Sequence, residues 1–196
     1  MVSSLLGFRS ERDGYIAVVP LAGRYIPVPG DEVIGRVAMI GPSFWLMEIN
    51  SPYMAPLHVT ESPWRVETGD AKRYMDIGEL ATLRVTQIDE NRRVQVTMKD
   101  RDLRHITSGQ VMEVSPAKIP RVIGRKGSMV TLIKRHTNTR MFVGQNGRIW
   151  VEGEPQDAEV VRRILRLIEE DAHALGLTES VRGALEQEYG KTIETT

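Results

Sequence analysis

The sequence predicts a multidomain protein of β plus α/β class, and three observations carry that prediction. Short alternating segments fill residues 31 to about 104, with no helix of full length among them. At Gly109 the pattern changes to strand, helix, turn, helix, strand, strand, long helix. Charge separates along the same division. From Gly109 to Trp150 eight basic residues stand against the single Glu113, a net of +7; from Val151 onward eleven acidic residues face five basic ones, a net of −6.

Residues 1–30 supply one strand-like run, 15–19, and a proline-punctuated connector, GRYIPVPG, too short for a core of their own. In 31–105 the strands fall at 33–40, 44–49, 53–57, 80–88 (LATLRVTQI) and 94–99 (VQVTMK), with a polar stretch at 61–78. Gly35 inside the first suggests a bend or bulge. In the last, Val94, Val96 and Met98 face one way and Gln95, Thr97 and Lys99 the other, the period of a half-buried strand. Five short strands in this span predict a closed barrel of the OB type.

In 106–176, GQVMEVS reads as a strand. Ile119, Val122 and Ile123 then fall at helical spacing, with Pro120 tolerable only in a first turn. Met129, Leu132 and Ile133 repeat that spacing beyond GRKG. Residues 139–143 and 148–151 are strands around the Gly144-Gln145-Asn146-Gly147 turn. A long helix with Val161, Ile164, Leu165, Ile168 and Ala172 on one face should stop at Gly176. A shorter C-terminal helix, capped by Thr178, should occupy 178–189 of the tail, 177–196.

With 41% hydrophobic residues among 196, the chain can bury cores, and no apolar run approaches the ~20 residues of a membrane span. No basic stretch leads into an apolar one at the N-terminus, so no secretion signal is visible. The absence of cysteine removes disulfides, thiolate chemistry and cysteine zinc sites. A soluble, cytoplasmic protein is the expectation. No Ser-His-Asp order, Walker loop or histidine-metal motif is present, and Asp100 and Asp102 in KDRD sit among Lys99, Arg101 and Arg104. No catalytic residue, metal or cofactor is expected; a metal-dependent nuclease is the enzyme alternative that no residue favours.

The chemistry concentrates in KIPRVIGRKGSMVTLI, where Arg125 and Lys126 sit between two glycines. Strand, helix, Gly-x-x-Gly, helix is the arrangement of a type I KH module, βααββα, whose glycine loop clamps the nucleic-acid backbone. Glycines let backbone N–H groups approach phosphate, and the loop opens a helix whose N-terminus favours anions. The candidate RNA contacts are Lys118, Arg121, Gly124, Arg125, Lys126, Gly127, Lys134 and Arg135, with Val122 and Ile123 as an apolar floor. On the barrel the candidates are Phe44, Trp45, Tyr53 and His58 for stacking, with Arg92 and Arg93 for phosphates. Trp45 could as well be core. An acidic tail folded back onto the basic segment is the competing arrangement, as is a KH fold kept for protein contacts.

These segments together (YIPVPGDEVIGRV, RVQVTMKDRDLR, KIPRVIGRKGSMV, GQNGRIWVEG) resemble the archaeal exosome cap subunits of the ribosomal-RNA-processing-four type over nearly the whole chain. The Gly-x-Asn-Gly turn is the more specific marker. The resemblance implies a non-catalytic subunit that binds single-stranded RNA through barrel and KH domains. Three such caps sit on a hexameric ring of RNase-PH-like subunits and feed the RNA 3′ end into its pore for phosphorolytic 3′-to-5′ degradation, with neither DNA nor membrane as partner. It also implies that Gly144, Asn146 and Gly147 form a domain interface. The N-terminal domain, 1–30, looks short beside the family's, and Phe44-Trp45-Leu46 stands where related barrels place their aromatic differently. The other cap type carries a zinc ribbon, which the lack of cysteine excludes. A transcription elongation factor of barrel-plus-KH type is the alternative, although those carry two KH modules.

Overall fold

The computed structural model describes residues 7–12, 15–20, 24–172 and 176–190. An antiparallel hairpin, β1 (Gly7–Arg12) and β2 (Tyr15–Pro20), precedes the barrel. The barrel strands are β3 (Glu32–Ile40), β4 (Phe44–Glu48), β5 (Met54–His58), β6 (Leu80–Ile88) and β7 (Val94–Thr97). They are ordered β5-β4-β3-β6-β7, every neighbour antiparallel. Just past the ends of β5 and β7, Met98 N donates to Glu61 O at 2.8 Å and draws the two edges together. A short β8 (His105–Ile106) pairs with the start of β6.

Alternation drives this closure: Val33, Val37, Trp45, Met47, Leu57, Leu83, Val94 and Val96 point inward and are buried. The register breaks lie between Val37 and Met39 and between Val85 and Gln87, not at Gly35. Gly35 serves packing instead, since a Cβ there would lie 2.7 Å from Leu83 Cδ1. The polar 61–78 stretch covers one barrel end, its 3-10 turn Ala71–Arg73 and Met75 seated on the core.

The second unit begins at β9 (Gln110–Glu113), followed by α1 (Ile119–Ile123), α2 (Ser128–Thr137), β10 (Arg140–Val143), β11 (Arg148–Glu152) and α3 (Pro155–Glu170). Its antiparallel sheet runs β10-β11-β9, leaving β10 as an edge. Ile119, Val122, Met129, Ile133, Ile149, Val161, Ile164 and Ile168 fill one core. The helix expected to reach Gly176 ends at Glu170. Gly176, at φ 84°, precedes α4 (Leu177–Tyr189) as its N-cap, the place expected for Thr178. Val181 and Leu185 bury α4 against the same core. Among the described residues no helix is long and apolar enough to cross a membrane.

One turn joins the two units. Strand β4 pairs with β3 only from Arg36 onward, so the β3 segment before it faces no β4 partner. The 144–147 turn fills that gap. Gln145 N donates to Glu32 O at 2.8 Å. The Asn146 side chain, 0% exposed, donates to Ile34 O at 2.8 Å and Ile49 O at 2.9 Å and accepts from Ile34 N at 3.2 Å. Asn50 Nδ2 in turn donates to Asn146 O at 2.8 Å. Beside it Arg148, its side chain 5% exposed, donates to Glu48 Oε2 at 2.5 Å, Glu113 Oε1 at 3.2 Å, and the carbonyls of Ile34 and Glu48. A charge removed from water needs such compensation.

Two expectations follow from this interface. Asn146→Ala leaves Ile34 N–H and Ile49 C=O buried without these partners, and at ~1–3 kcal/mol per stranded group the variant should lose about 3 kcal/mol of stability, read by thermal melting. At Glu48, partial burial alone would raise the carboxyl. The hydrogen bonds from Arg148 and the Asn50 amide, with the Arg148 charge, outweigh it and hold the group below its ordinary 4.5. A depressed carboxyl stabilises above its unfolded value and ceases to as pH falls through its folded one. The melting temperature should therefore fall on acidification below about 4.5, and Glu48→Gln should flatten that part of the curve while lowering stability at neutral pH.

Candidate nucleic-acid interface

The GRKG loop is built by its backbone. Gly124 ends α1 at φ 73°, where a Cβ would lie 2.7 Å from Met129 N. Lys126 adopts the left-handed region at φ 52°, ψ 32°, a conformation that costs an L-residue roughly 1 kcal/mol. Gly127, at φ 80°, leads into α2. This path leaves Arg125 and Lys126 exposed at the tip. No side chain caps α2; Gly127 N–H goes to Gly124 O and Ser128 N–H to Arg125 O, so any anion is met by the first-turn amides beyond Ser128.

Ion pairing sorts the eight basic residues of the segment. Arg148 is consumed by the interface, and Arg140 pairs with Glu152 at 3.5 Å. Arg121, Arg125, Lys126, Lys134 and Arg135 make no ion pair among the described residues. Lys118, half-buried, lies in the turn before α1. Three of the seven acidic residues of α3 and α4 pair within that segment, Glu159 with Arg162, Glu188 with Arg163 and Glu179 with Arg182, and none pairs with a cation of α1, the loop or α2 among the described residues. The unpaired cations thus gather on α1, the loop and α2, a local positive field on a chain of zero net charge.

Alongside them runs a groove of about 580 Å³. Ile123, Val130 and Lys134 form one side, β10 lies beneath, and the 28–32 turn stands opposite. Val122, expected to share this floor with Ile123, is 0% exposed and belongs to the core, because consecutive helical residues face apart.

The barrel candidates divide into two clusters. Phe44 and His58 are cross-strand partners on the outer face at the end of β4 remote from the 144–147 turn. His58 Nδ1 lies 2.7 Å from Thr60 Oγ1 and 3.3 Å from Thr60 N. Tyr53 sits at the other end, where Arg92 Nη1 donates to its hydroxyl at 2.6 Å and the guanidinium lies 5.9 Å from the ring centroid. Arg93 is exposed beside it, with its N–H given to Asp89. Trp45 does not join either cluster. It is 0% exposed, donates Nε1–H to Met75 O at 3.1 Å, and meets Trp64 edge-on at 6.2 Å. Its place is barrel core, and it presents no face to a base.

Sequence reading missed the 28–32 turn, Val130 and Met141 as groove residues, and counted Arg148 only toward the segment's net charge. Pro29-Gly30 was a visible turn signal, but its position opposite β10 depends on how the two units dock. Asp100 pairs with Arg84 at 2.9 Å, and among the described residues no three His, Asp or Glu side chains cluster as a metal site.

Residues 109–157 match the family model described as KH domain. The exosome complex component Rrp4 of Methanosarcina mazei is 42% identical over 193 residues, 98% of this chain and 74% of that protein. The Rrp4 component of Thermoplasma volcanium is 38% identical over 188 residues, covering 96% and 80% respectively. A crystal structure described as an exosome complex RNA-binding protein superimposes with a TM-score of 0.76 at 35% identity, over 85% of this chain and 97% of that one.

The loop geometry sets a direct expectation. Arg125→Asp with Lys126→Asp should weaken binding of a labelled single-stranded RNA at least tenfold, by losing attraction and adding repulsion where amides would receive phosphate. Both side chains are exposed, so melting should shift by no more than about 0.5 kcal/mol in stability. Unchanged affinity in a fluorescence titration would show the loop to be a structural remnant.

Proposed function

The chain belongs to the Rrp4 family of exosome components, and from that premise we propose that it is a non-catalytic RNA-binding cap subunit of an archaeal exosome. It recruits single-stranded RNA and guides the 3′ end into a phosphorolytic RNase-PH-type ring for 3′-to-5′ degradation, three caps to a hexameric ring, in the cytoplasm. The observation that carries this reading is the cluster of unpaired cations around GRKG beside an open groove, on a chain whose relatives are named exosome components. The elongation-factor alternative gains nothing from these relatives.

Each element has a part. The GRKG loop and α2 N-terminus hold phosphates, the groove takes bases, and Phe44 with His58 offers a stacking surface on the barrel. RNase-PH-like subunits supply the chemistry: inorganic phosphate attacks the phosphorus of the terminal phosphodiester, the 3′ oxygen of the shortened RNA departs, and the terminal nucleotide is released as a nucleoside diphosphate. The cap contributes capture and direction, so binding should discriminate against duplex RNA, whose bases are not splayed.

The test is reconstitution. Mixed with an archaeal RNase-PH-like ring, the chain should co-elute as a stable complex and accelerate phosphate-dependent shortening of single-stranded RNA, while the chain alone releases no nucleoside diphosphate. Failure to associate, or phosphorolysis by the isolated chain, overturns the assignment.

A further inference from the structure

The groove beside GRKG is not made by one domain. Its far wall is the 28–32 turn, which belongs to the barrel. Residues 28–31 form a tight turn closed by Asp31 N→Val28 O at 3.1 Å, with Pro29 and Gly30 central and Gly30 at φ 93°. Proline at the second position and a positive-φ glycine at the third are what a type II turn requires. The turn is stitched to β6 by Gly30 N→Val85 O at 2.8 Å and Val85 N→Asp31 O at 2.9 Å. The Asp31 carboxylate locks it from within, accepting from Tyr25 OH at 2.7 Å and Val28 N at 3.1 Å. Yet Val28 is 54% exposed. A rigid turn holding an apolar side chain out at the rim of an open groove costs little ordering when a ligand arrives.

Charge fixes which way a strand would lie. Lys134 lines the helix side, and the GRKG loop follows directly on Ile123 of the same wall, whereas Asp31 and Glu32, the latter paired with Arg84 at 2.7 Å, line the groove from the turn. Phosphates are drawn to the Lys134 side, where the loop and α2 carry the unpaired cations, so bases point toward Val28 and Pro29. The trans peptide that aims Gly30 N–H at β6 aims Pro29 C=O away from it.

Resting on the RNA reading above, we propose that the 28–32 turn is a base-contacting wall, so that a strand clamped at GRKG is gripped between the barrel and KH domains, with a base packed on Val28 and Pro29. The KH unit then holds only half of its own binding site. The orientation fixed by Asn146 and Arg148 supplies the rest.

The test uses the full chain, a fluorescently labelled single-stranded RNA, and four proteins: wild type, Val28→Ser, Val28→Glu, and the Arg125→Asp, Lys126→Asp double variant. Val28→Ser should weaken binding roughly threefold and Val28→Glu roughly tenfold, in the range of losing part or all of one base contact. Melting should be unchanged, since the side chain is exposed. A photo-crosslinking residue at position 28 should crosslink to the RNA. Wild-type affinity in both Val28 variants, with binding lost in the double variant, overturns the wall and leaves RNA binding at GRKG intact. No salt-sensitive binding by the wild type overturns both.

Discussion

The architecture hangs on one carboxamide. Asn146 occupies the gap where β4 has left β3, and its three side-chain hydrogen bonds complete a strand edge that would otherwise be buried without partners. Only a side chain with a donor and an acceptor on one carbon can serve a carbonyl and an amide of the same residue, Ile34, at once. Asp would lack the donor and Leu both. The turn must also come close. A Cβ at Gly144 would lie 3.2 Å from Ile34 N, and one at Gly147 would lie 2.4 Å from Val114 O. The Gly-x-Asn-Gly spacing is thus a docking requirement written in four residues. Its consequence reaches the groove, because Gln145, bonded to Glu32 O, lines it together with the 28–32 turn.

Arg148 shows why net charge is a poor guide to where a polyanion binds. Together with Arg140 it belongs to the basic excess of the segment, but both are spent on carboxylates. The cations without an ion pair lie on α1, the loop and α2, and that surface is opposite in role to α3 and α4, where three acids answer arginines of their own segment. A buried ion pair contributes little net stability against an apolar replacement. Here its value is orientational: Arg148 bonds β3, β4 and β9 simultaneously and fixes the angle at which the loop is presented.

The fold was legible where periodicity is strong. Strands β3 to β7, α1, α2 and the body of α3 stand within a few residues of where alternation and helical spacing put them, because one face of each is buried. Ends and neighbours were harder. Gly176 carried a helix-end signal that the chain spends on starting α4, and the chemistry of a positive-φ glycine serves either end. Gly35 looked like a bulge, yet the register breaks fall elsewhere, set by closure of the whole sheet. Trp45 and Phe44 are adjacent aromatics in one strand, and composition cannot tell which faces in. The inward one is the residue flanked by outward Phe44 and Leu46, which only the register decides.

The separation of the two aromatic clusters on the barrel has a consequence for how RNA could run. Phe44 and His58 lie at one end of β4, Tyr53 and Arg92 at the other, and a five-residue strand spans roughly 13 Å at ~3.3 Å per step. The groove adjoins the Tyr53 end, where Asn50 meets Asn146. Tyr53 is already engaged by Arg92, whose guanidinium presents charge rather than a ring face outward. A strand leaving the groove would therefore meet cations first and an available aromatic only after crossing the barrel. Phosphate contacts carry no sequence information, and stacking is tolerant of base identity. A path ordered as clamp, cations and then stacking ring would hold any single strand at several weak points. That suits a subunit whose substrate must be gripped and still advance.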